Sequence, residues 1–106
     1  MNAQDKEILE KYKSMLMKEE GLYKLILFGS RARGEAAPSS DMDVVVIWEK
    51  EADEHTREYI SNCAWEAGFE RGLIIVPIIF TKEEWTKGPE RNSLLVQAVE
   101  KEGLPV

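Results

Sequence analysis

The chain has 106 residues and a net charge of −6, which fits one globular domain with a modest core. Such acidity argues against a general nucleic-acid binder, which would carry a basic stripe. The lone cysteine, Cys63, precludes an internal disulfide, the first residues lack the regions of a signal peptide, and no apolar run approaches the roughly 20 residues of a membrane span. We therefore expect a single cytoplasmic domain over residues 1–106, without membrane association.

The predicted elements alternate between helices and strands. Apolar residues either recur at the spacing of one helix face or form short runs typical of buried strands. In chain order, we predict a helix at 4–20, strands at 23–28 and 41–48, a helix at 52–67, a strand at 73–80, and short helices that begin near 81 and 93. This alternation indicates a small α/β or α+β domain. Only a short turn joins the first two strands, so neighbouring strands need not all be parallel.

The boundaries of these elements carry their own signals. We predict N-caps at Asn2, Thr81 and Ser93 and helix ends at Gly21 and Gly68. The strand at 73–80 is apolar almost throughout, which favours a central position in the sheet. Pro77 within it indicates a bulge or an edge for that half.

The turn at 29–34, between the first two strands, is suited to holding an anion. Gly29 lets the backbone approach a ligand, and Ser30 supplies a hydroxyl and an N–H group. A helical turn that opens at Ser30 would add free N–H groups and a favourable dipole. Arg31 and Arg33 lie beside it. Alone, a Gly-Ser turn is usually an ordinary loop, and either arginine could equally be a surface residue.

Two aspartates open the second strand. Residues two apart in a strand point to the same face, so Asp41 and Asp43 project together. Carboxylates this close raise each other's proton affinity unless a cation lies between them, and oxygen ligands suit Mg²⁺ or Mn²⁺. An Asp-x-Asp pair alone is more often a solvated strand start. The order of turn and pair between two apolar strands instead predicts a metal–nucleotide site for phosphoryl or nucleotidyl transfer.

The turn and pair together resemble the Gly-Ser-x-Ala-Arg-Gly … Ser-Asp-x-Asp signature of the DNA polymerase β-like nucleotidyltransferase superfamily. Here the signature reads Gly29-Ser30-Arg31-Ala32-Arg33-Gly34, five residues, and then Ser40-Asp41-Met42-Asp43. The short chain resembles the minimal nucleotidyltransferase (MNT) branch. The resemblance implies a small mixed β-sheet flanked by helices, in the α+β class.

The resemblance also implies roles for individual residues. Asp41 and Asp43 would ligate two Mg²⁺ ions, and ATP would be the substrate. The implied nucleotide-binding residues are Gly29, Ser30, Arg31, Arg33 and Ser40, with Gly29 and Ser30 on the terminal phosphates. The implied catalytic residues are Asp41, Asp43 and Ser30.

MNT proteins are often encoded beside a HEPN-domain ribonuclease, as antitoxin to toxin. Some members neutralise the toxin by transferring AMP from ATP to one of its tyrosine hydroxyls. The resemblance therefore implies a HEPN-domain partner, a hetero-oligomer with it, and protein adenylyltransferase activity.

The sequence departs from the family at a third carboxylate, which active members carry on a later strand. The strand at 73–80 has no acidic residue. Glu70, Glu83 and Glu84 lie near its ends and are substitutes by proximity only. Without the third acid, the alternative is an antitoxin or assembly subunit that binds nucleotide but neutralises its partner by contact. Transfer to a small molecule is a further possibility, but relatives with that activity usually have an additional domain that binds the acceptor.

Overall fold

The computed structural model describes residues 1–106 as a mixed four-stranded sheet with helices on both faces. The strands are β1 (Leu22–Phe28), β2 (Met42–Trp48), β3 (Ile75–Thr81) and β4 (Leu104–Pro105). The helices are α1 (Ala3–Leu16), α2 (Glu54–Phe69), α3 (Lys82–Thr86) and α4 (Leu94–Glu102), with short 3-10 turns at Gly29–Arg31 and Pro89–Asn92. None of these helices combines the length and hydrophobicity that crossing a membrane requires.

The strands lie in the order β3-β2-β1-β4. β2 and β3 are parallel because α2 carries the chain back between them, whereas β1 pairs antiparallel with both β2 and β4. The prediction of a small mixed sheet flanked by helices is therefore confirmed. The two-residue strand β4 was not predicted, because a stretch this short forms a strand only by pairing with β1.

Each face of the sheet has its own hydrophobic core. On the first face, α1 and α2 cover alternate side chains of β1 and β2, including Leu25, Val44 and Val46. Tyr12 of α1 is fully buried there, and its hydroxyl donates to the carbonyl of Ile60 in α2 at 3.0 Å. The second face, under α3 and α4, buries Val45, Ile47, Phe80 and Trp85 among others. Asp43 precedes Val45 by two residues and so belongs to the second face.

The predicted N-caps are confirmed: the side chains of Asn2, Thr81 and Ser93 accept hydrogen bonds from the first turns of α1, α3 and α4. The predicted helix ends at Gly21 and Gly68 are wrong. α1 ends at Leu16, and Gly21 instead packs against the indole of Trp48, where a Cβ would lie 2.3 Å from ring atoms. Gly68 lies inside α2, where a Cβ would meet the carbonyl oxygen of Leu73 at 2.2 Å.

β3 is an edge strand, so the predicted central position is wrong. Ile75 and Phe80 are buried, and Ile78 and Ile79 pack against the two cores, so contacts on the two faces rather than strand order account for these apolar residues. Its register with β2 is continuous, so Pro77 sits at an edge without a bulge. The Met42 N–H donates to the Ile74 carbonyl at 2.8 Å. Alternate residues of a parallel strand bond to the same neighbour, so Pro77 turns its backbone toward the open edge.

Candidate nucleotide and metal site

The glycine turn after β1 lies directly against the carboxylate of Asp43. Gly29 has a φ of +75°, a left-handed conformation that glycine adopts without strain. A Cβ at this position would lie 2.8 Å from Oδ2 of Asp43. The left-handed φ favours glycine here, and the short distance to Asp43 places the backbone of the Gly29–Arg31 turn beside the aspartate pair.

Asp41 and Asp43 lie close together at the start of β2. Asp43 is half-buried in a row across the sheet, paired with Phe28 of β1 on one side and Val76 of β3 on the other. Asp41 is exposed just before the strand. Partial burial raises the pKa of Asp43, and the negative charge of Asp41 raises that pKa further. A cation between the two carboxylates would remove this repulsion.

The donor set fits Mg²⁺ that is shared with a nucleotide. Mg²⁺ in proteins is often held by one or two carboxylates together with phosphate oxygens and water, which is what an Asp pair beside an anion-binding turn can supply. Nowhere in the structure do three or more His, Cys, Asp or Glu side chains converge to hold a metal on their own. Phosphate oxygens of a nucleotide, together with water, would complete the coordination of a metal at Asp41 and Asp43.

Arg31 points into the protein, whereas the resemblance implied that it contacts the nucleotide. Its buried side chain pairs with Asp5 of α1 at 2.8 Å. Nε and Nη2 donate to the carbonyl of Ser40 at 3.0 and 2.7 Å, and Nη2 also donates to that of Pro38 at 2.9 Å. With all three nitrogens engaged inside the protein, Arg31 fastens the loop that leads to Asp41 and does not present its guanidinium to a ligand.

Asp5 is the residue of this arrangement that the sequence did not reveal. It lies in the first turn of α1, where an acidic residue is ordinary because it compensates the helix dipole. The only available signal was that it is the acidic residue nearest the predicted N-cap of a helix whose apolar face must pack on the sheet. That pattern does not predict that Asp5 pairs with Arg31.

Arg33 is the exposed arginine of the turn. Its Nε donates to Glu35 at 3.0 Å, and its Nη1 lies 3.6 Å from Glu102 at the end of α4. The hydrogen bond to Glu35 raises the pKa of Arg33. Ser30 and Ser40 are half-buried on either side of the loop, and the carbonyl of Ser30 accepts the N–H of Glu35 at 2.9 Å.

No carboxylate takes the position of the missing third acid. Val76 occupies the place on β3 beside Asp43. Glu84 belongs to the capping box of α3 with Thr81, which pairs with Trp48 at the opposite end of β2. Glu83 is in the same short helix, and Glu70 is the exposed C-cap of α2. The predicted substitutes therefore add no third acid to the pair.

The fold and the candidate site together describe a small α+β domain with two carboxylates beside a glycine turn, at the start of a central strand. The model of the family "Nucleotidyltransferase domain" matches residues 6–103. The chain therefore belongs to the nucleotidyltransferase domain family, as the signature predicted.

The proteins similar to this chain include a relative in sequence and a solved structure. One, from Methanocaldococcus jannaschii, is named "Putative protein adenylyltransferase" and is 38% identical over 55 residues, which cover 52% of this chain and 55% of the relative. The match thus spans about half of each protein. A solved structure described as "Crystal structure of the toxin-antitoxin with AMP-PNP" shares the fold, with a TM-score of 0.63 at 18% identity, over 95% of this chain and 70% of that one.

Proposed function

We propose that this protein is a Mg²⁺-dependent nucleotidyltransferase that transfers AMP from ATP to a tyrosine hydroxyl of a partner protein. The observation that carries the proposal is the pair Asp41–Asp43 with the Gly29 turn packed directly against it. Membership of the nucleotidyltransferase family gives the reaction class. The similarity to a protein named as an adenylyltransferase supports AMP as the transferred group and a protein as its acceptor.

Each residue of the site has a role in this proposal. Asp41 and Asp43 would hold two Mg²⁺ ions, which would supply neutralisation of the phosphates and activation of the attacking hydroxyl. Gly29 and Ser30 bind the terminal phosphates through the backbone and the hydroxyl, and Ser40 borders the nucleotide. Arg33 exchanges its exposed carboxylate partners for phosphate oxygens. Arg31 acts indirectly, by holding the loop in place.

We further propose that the partner is a HEPN-domain toxin, with which this chain forms a hetero-oligomer as the antitoxin. The MNT-type signature supports this assignment, and so does the shared fold with a protein from a toxin–antitoxin structure. AMP-PNP in that structure is consistent with ATP as the nucleotide.

The proposal is tested by incubating the protein with Mg²⁺, ATP labelled on its α-phosphate and the protein encoded by the adjacent reading frame. We expect label on a tyrosine of that protein, and none with Asp41→Asn or Asp43→Asn. Both substitutions remove a charge while preserving shape, so circular dichroism should show folded variants. Wild-type labelling no greater than that of these variants would reject the enzyme.

The absence of a third carboxylate beside Asp43 favours one alternative, an antitoxin that binds nucleotide without turnover and neutralises its partner by contact. Under this alternative, the double variant Asp41→Asn, Asp43→Asn still suppresses the partner's toxicity in cells. Loss of suppression by a double variant that still binds the partner would exclude the alternative and favour the enzyme.

A further inference from the structure

Two exposed apolar side chains flank the aspartate pair on one side. Ile74 is 53% exposed and Val76 is 37% exposed. Val76 pairs with Asp43 across the sheet, at a typical strand separation of about 4.8 Å, and Ile74 lies two residues earlier on the same face. These methyl groups therefore border the position of any group that reacts beside Asp43.

Folding does not account for the exposure of these two residues. Further along the same face of β3, Ile78 and Phe80 pack into the core under α3 and α4. Ile74 and Val76 lie beyond that cover, where a solvated strand usually carries polar residues. A pair of branched apolar residues left uncovered beside a polar site indicates a surface that contacts an apolar group.

The proposed chemistry defines which group this is. In an in-line displacement the attacking and leaving oxygens lie on opposite sides of the phosphorus. The Gly29 turn, which holds the leaving phosphates in the proposed function, adjoins Asp43 from the β1 side. The attacking hydroxyl then approaches from the opposite side of Asp43, where Val76 and Ile74 lie.

Resting on the proposed function, we propose that Ile74 and Val76 form the acceptor surface, on which the aromatic ring of the partner's tyrosine packs with its hydroxyl toward Asp43. A ring meets methyl groups favourably, whereas a sugar would bring hydroxyl groups onto side chains that cannot hydrogen-bond to them. The acceptor surface therefore selects an aromatic hydroxyl of a protein over a carbohydrate acceptor.

The absence of a base on β3 is consistent with this choice. The phenolic oxygen forms a bond to the α-phosphorus, the bond from that phosphorus to the bridging oxygen breaks, and pyrophosphate leaves with the electron pair. No carboxylate of β3 faces the attacking oxygen, so its proton passes to water. A phenol ionises near pH 10, far more readily than an aliphatic alcohol, so tyrosine needs less help from a base than serine or threonine.

The test uses Ile74→Ser and Val76→Ser, with Leu94→Ser as the matched control because Leu94 is an 85% exposed apolar residue at the start of α4. The affinity for the protein encoded by the adjacent reading frame, its KM in AMP transfer and the affinity for Mg-ATP are measured separately. We expect each acceptor-surface variant to weaken partner binding and raise the partner's KM by about tenfold, from lost apolar contact. Mg-ATP affinity should stay at the wild-type value in these variants, and Leu94→Ser should match the wild type in all three measurements.

Two results would overturn the inference. One is partner affinity and KM unchanged in both serine variants. The other is a loss of Mg-ATP affinity equal to the loss of partner affinity, which would assign these residues to the nucleotide. The outcome is separable from that of the proposed function: a wild type that transfers no AMP but needs Ile74 and Val76 for partner binding would reject the enzyme and retain the surface.

A second measurement needs no partner protein. Methyl resonances of Ile74 and Val76 are recorded with Mg²⁺ and a non-hydrolysable ATP analogue present, while N-acetyl-tyrosinamide or N-acetyl-serinamide is added. We expect the tyrosine compound alone to shift these two resonances, with those of Leu94 unmoved. Equal shifts from both compounds would contradict selection of an aromatic acceptor.

Discussion

The two sides of the aspartate pair differ in almost every physical respect. On the β1 side, a glycine turn touches the carboxylate of Asp43, and a buried arginine fastens the loop that leads to Asp41. On the β3 side, Val76 and Ile74 offer methyl groups at an open sheet edge. The β1 side is held by contacts within the protein, whereas the β3 side is open to contact with another molecule. One half of the site is thus fixed by folding, while the other half depends on what binds.

The strongest test of the fixed side removes its buried ion pair. Asp5 and Arg31 are each about 95% buried, so Asp5→Ala leaves an unpaired guanidinium in the interior. We expect a loss of about 3–5 kcal/mol in the free energy of unfolding, measured by urea denaturation. Glu35→Ala, which removes a partner of the exposed Arg33, should cost at most about 1 kcal/mol. Similar losses in the two variants would contradict a fixed β1 side.

The next test separates backbone strain from contact with Asp43. Gly29 and Gly34 have almost the same φ, +75° and +74°, but only Gly29 has a neighbour within 4 Å of a Cβ. Both alanine variants should therefore lose about 1–2 kcal/mol of stability. Gly29→Ala alone should also lose Mg-ATP affinity, because its methyl group displaces the Asp43 carboxylate. Calorimetric titration measures this, and equal Mg-ATP affinities would show that the contact is unimportant.

A smaller effect concerns the pH dependence of stability. Burial and Asp41 raise the pKa of Asp43, so the folded protein binds this proton more tightly than the unfolded chain does. The carboxyl group therefore contributes stability below its unfolded pKa of about 4, and this contribution is lost as the pH rises through the folded value. In metal-free buffer at neutral pH, Asp43→Asn should melt at a higher temperature than wild type.

Lowering the pH in the same thermal melts should close this gap between Asp43→Asn and wild type. Adding Mg-ATP should reverse it, because only the wild-type carboxylate can share the cation. A variant that melts below wild type in metal-free buffer at neutral pH would contradict the destabilisation of the Asp43 carboxylate by burial and by the charge of Asp41.

The smallest expected effect comes from adding a carboxylate to the β3 side of the site. Val76→Glu places a carboxylate beside Asp43, and Val76→Gln is its uncharged match in size. We expect the glutamate variant alone to bind Mn²⁺ more tightly in the presence of nucleotide, as measured by electron paramagnetic resonance. The glutamine variant should bind Mn²⁺ as wild type does. Identical Mn²⁺ binding by the two variants would mean that position 76 cannot reach the metal.

The sequence predicted the local geometry around Asp43, namely a turn after β1 and two aspartates at the start of β2. The turn and the aspartate pair have fixed spacings, and the two-residue period of a strand determines that Asp41 and Asp43 share a face. N-caps were equally predictable, because Asn2, Thr81 and Ser93 act within three residues of themselves. Each of these features depends on neighbours in the chain.

Features set by distant contacts were not predictable. Arg31 meets Asp5 across 26 residues, and neither residue type marks the other as its partner. Gly21 and Gly68 resembled helix ends, yet each is a glycine because another part of the chain packs against its Cα. The apolar residues of β3 that pack against the two cores show that its faces are partly covered, and this carries no information about the position of β3 in the sheet.

Pro77 has a consequence for how this protein meets other chains. An edge strand rich in isoleucine is a template for adding a further strand, and such edges lead to aggregation. Pro77 faces the open edge in the middle of β3 and has no N–H to donate, so a strand laid along it would lack a central hydrogen bond. The proline thereby protects the edge from uncontrolled pairing with copies of itself, and it leaves side chains rather than backbone as the means of recognition on that side.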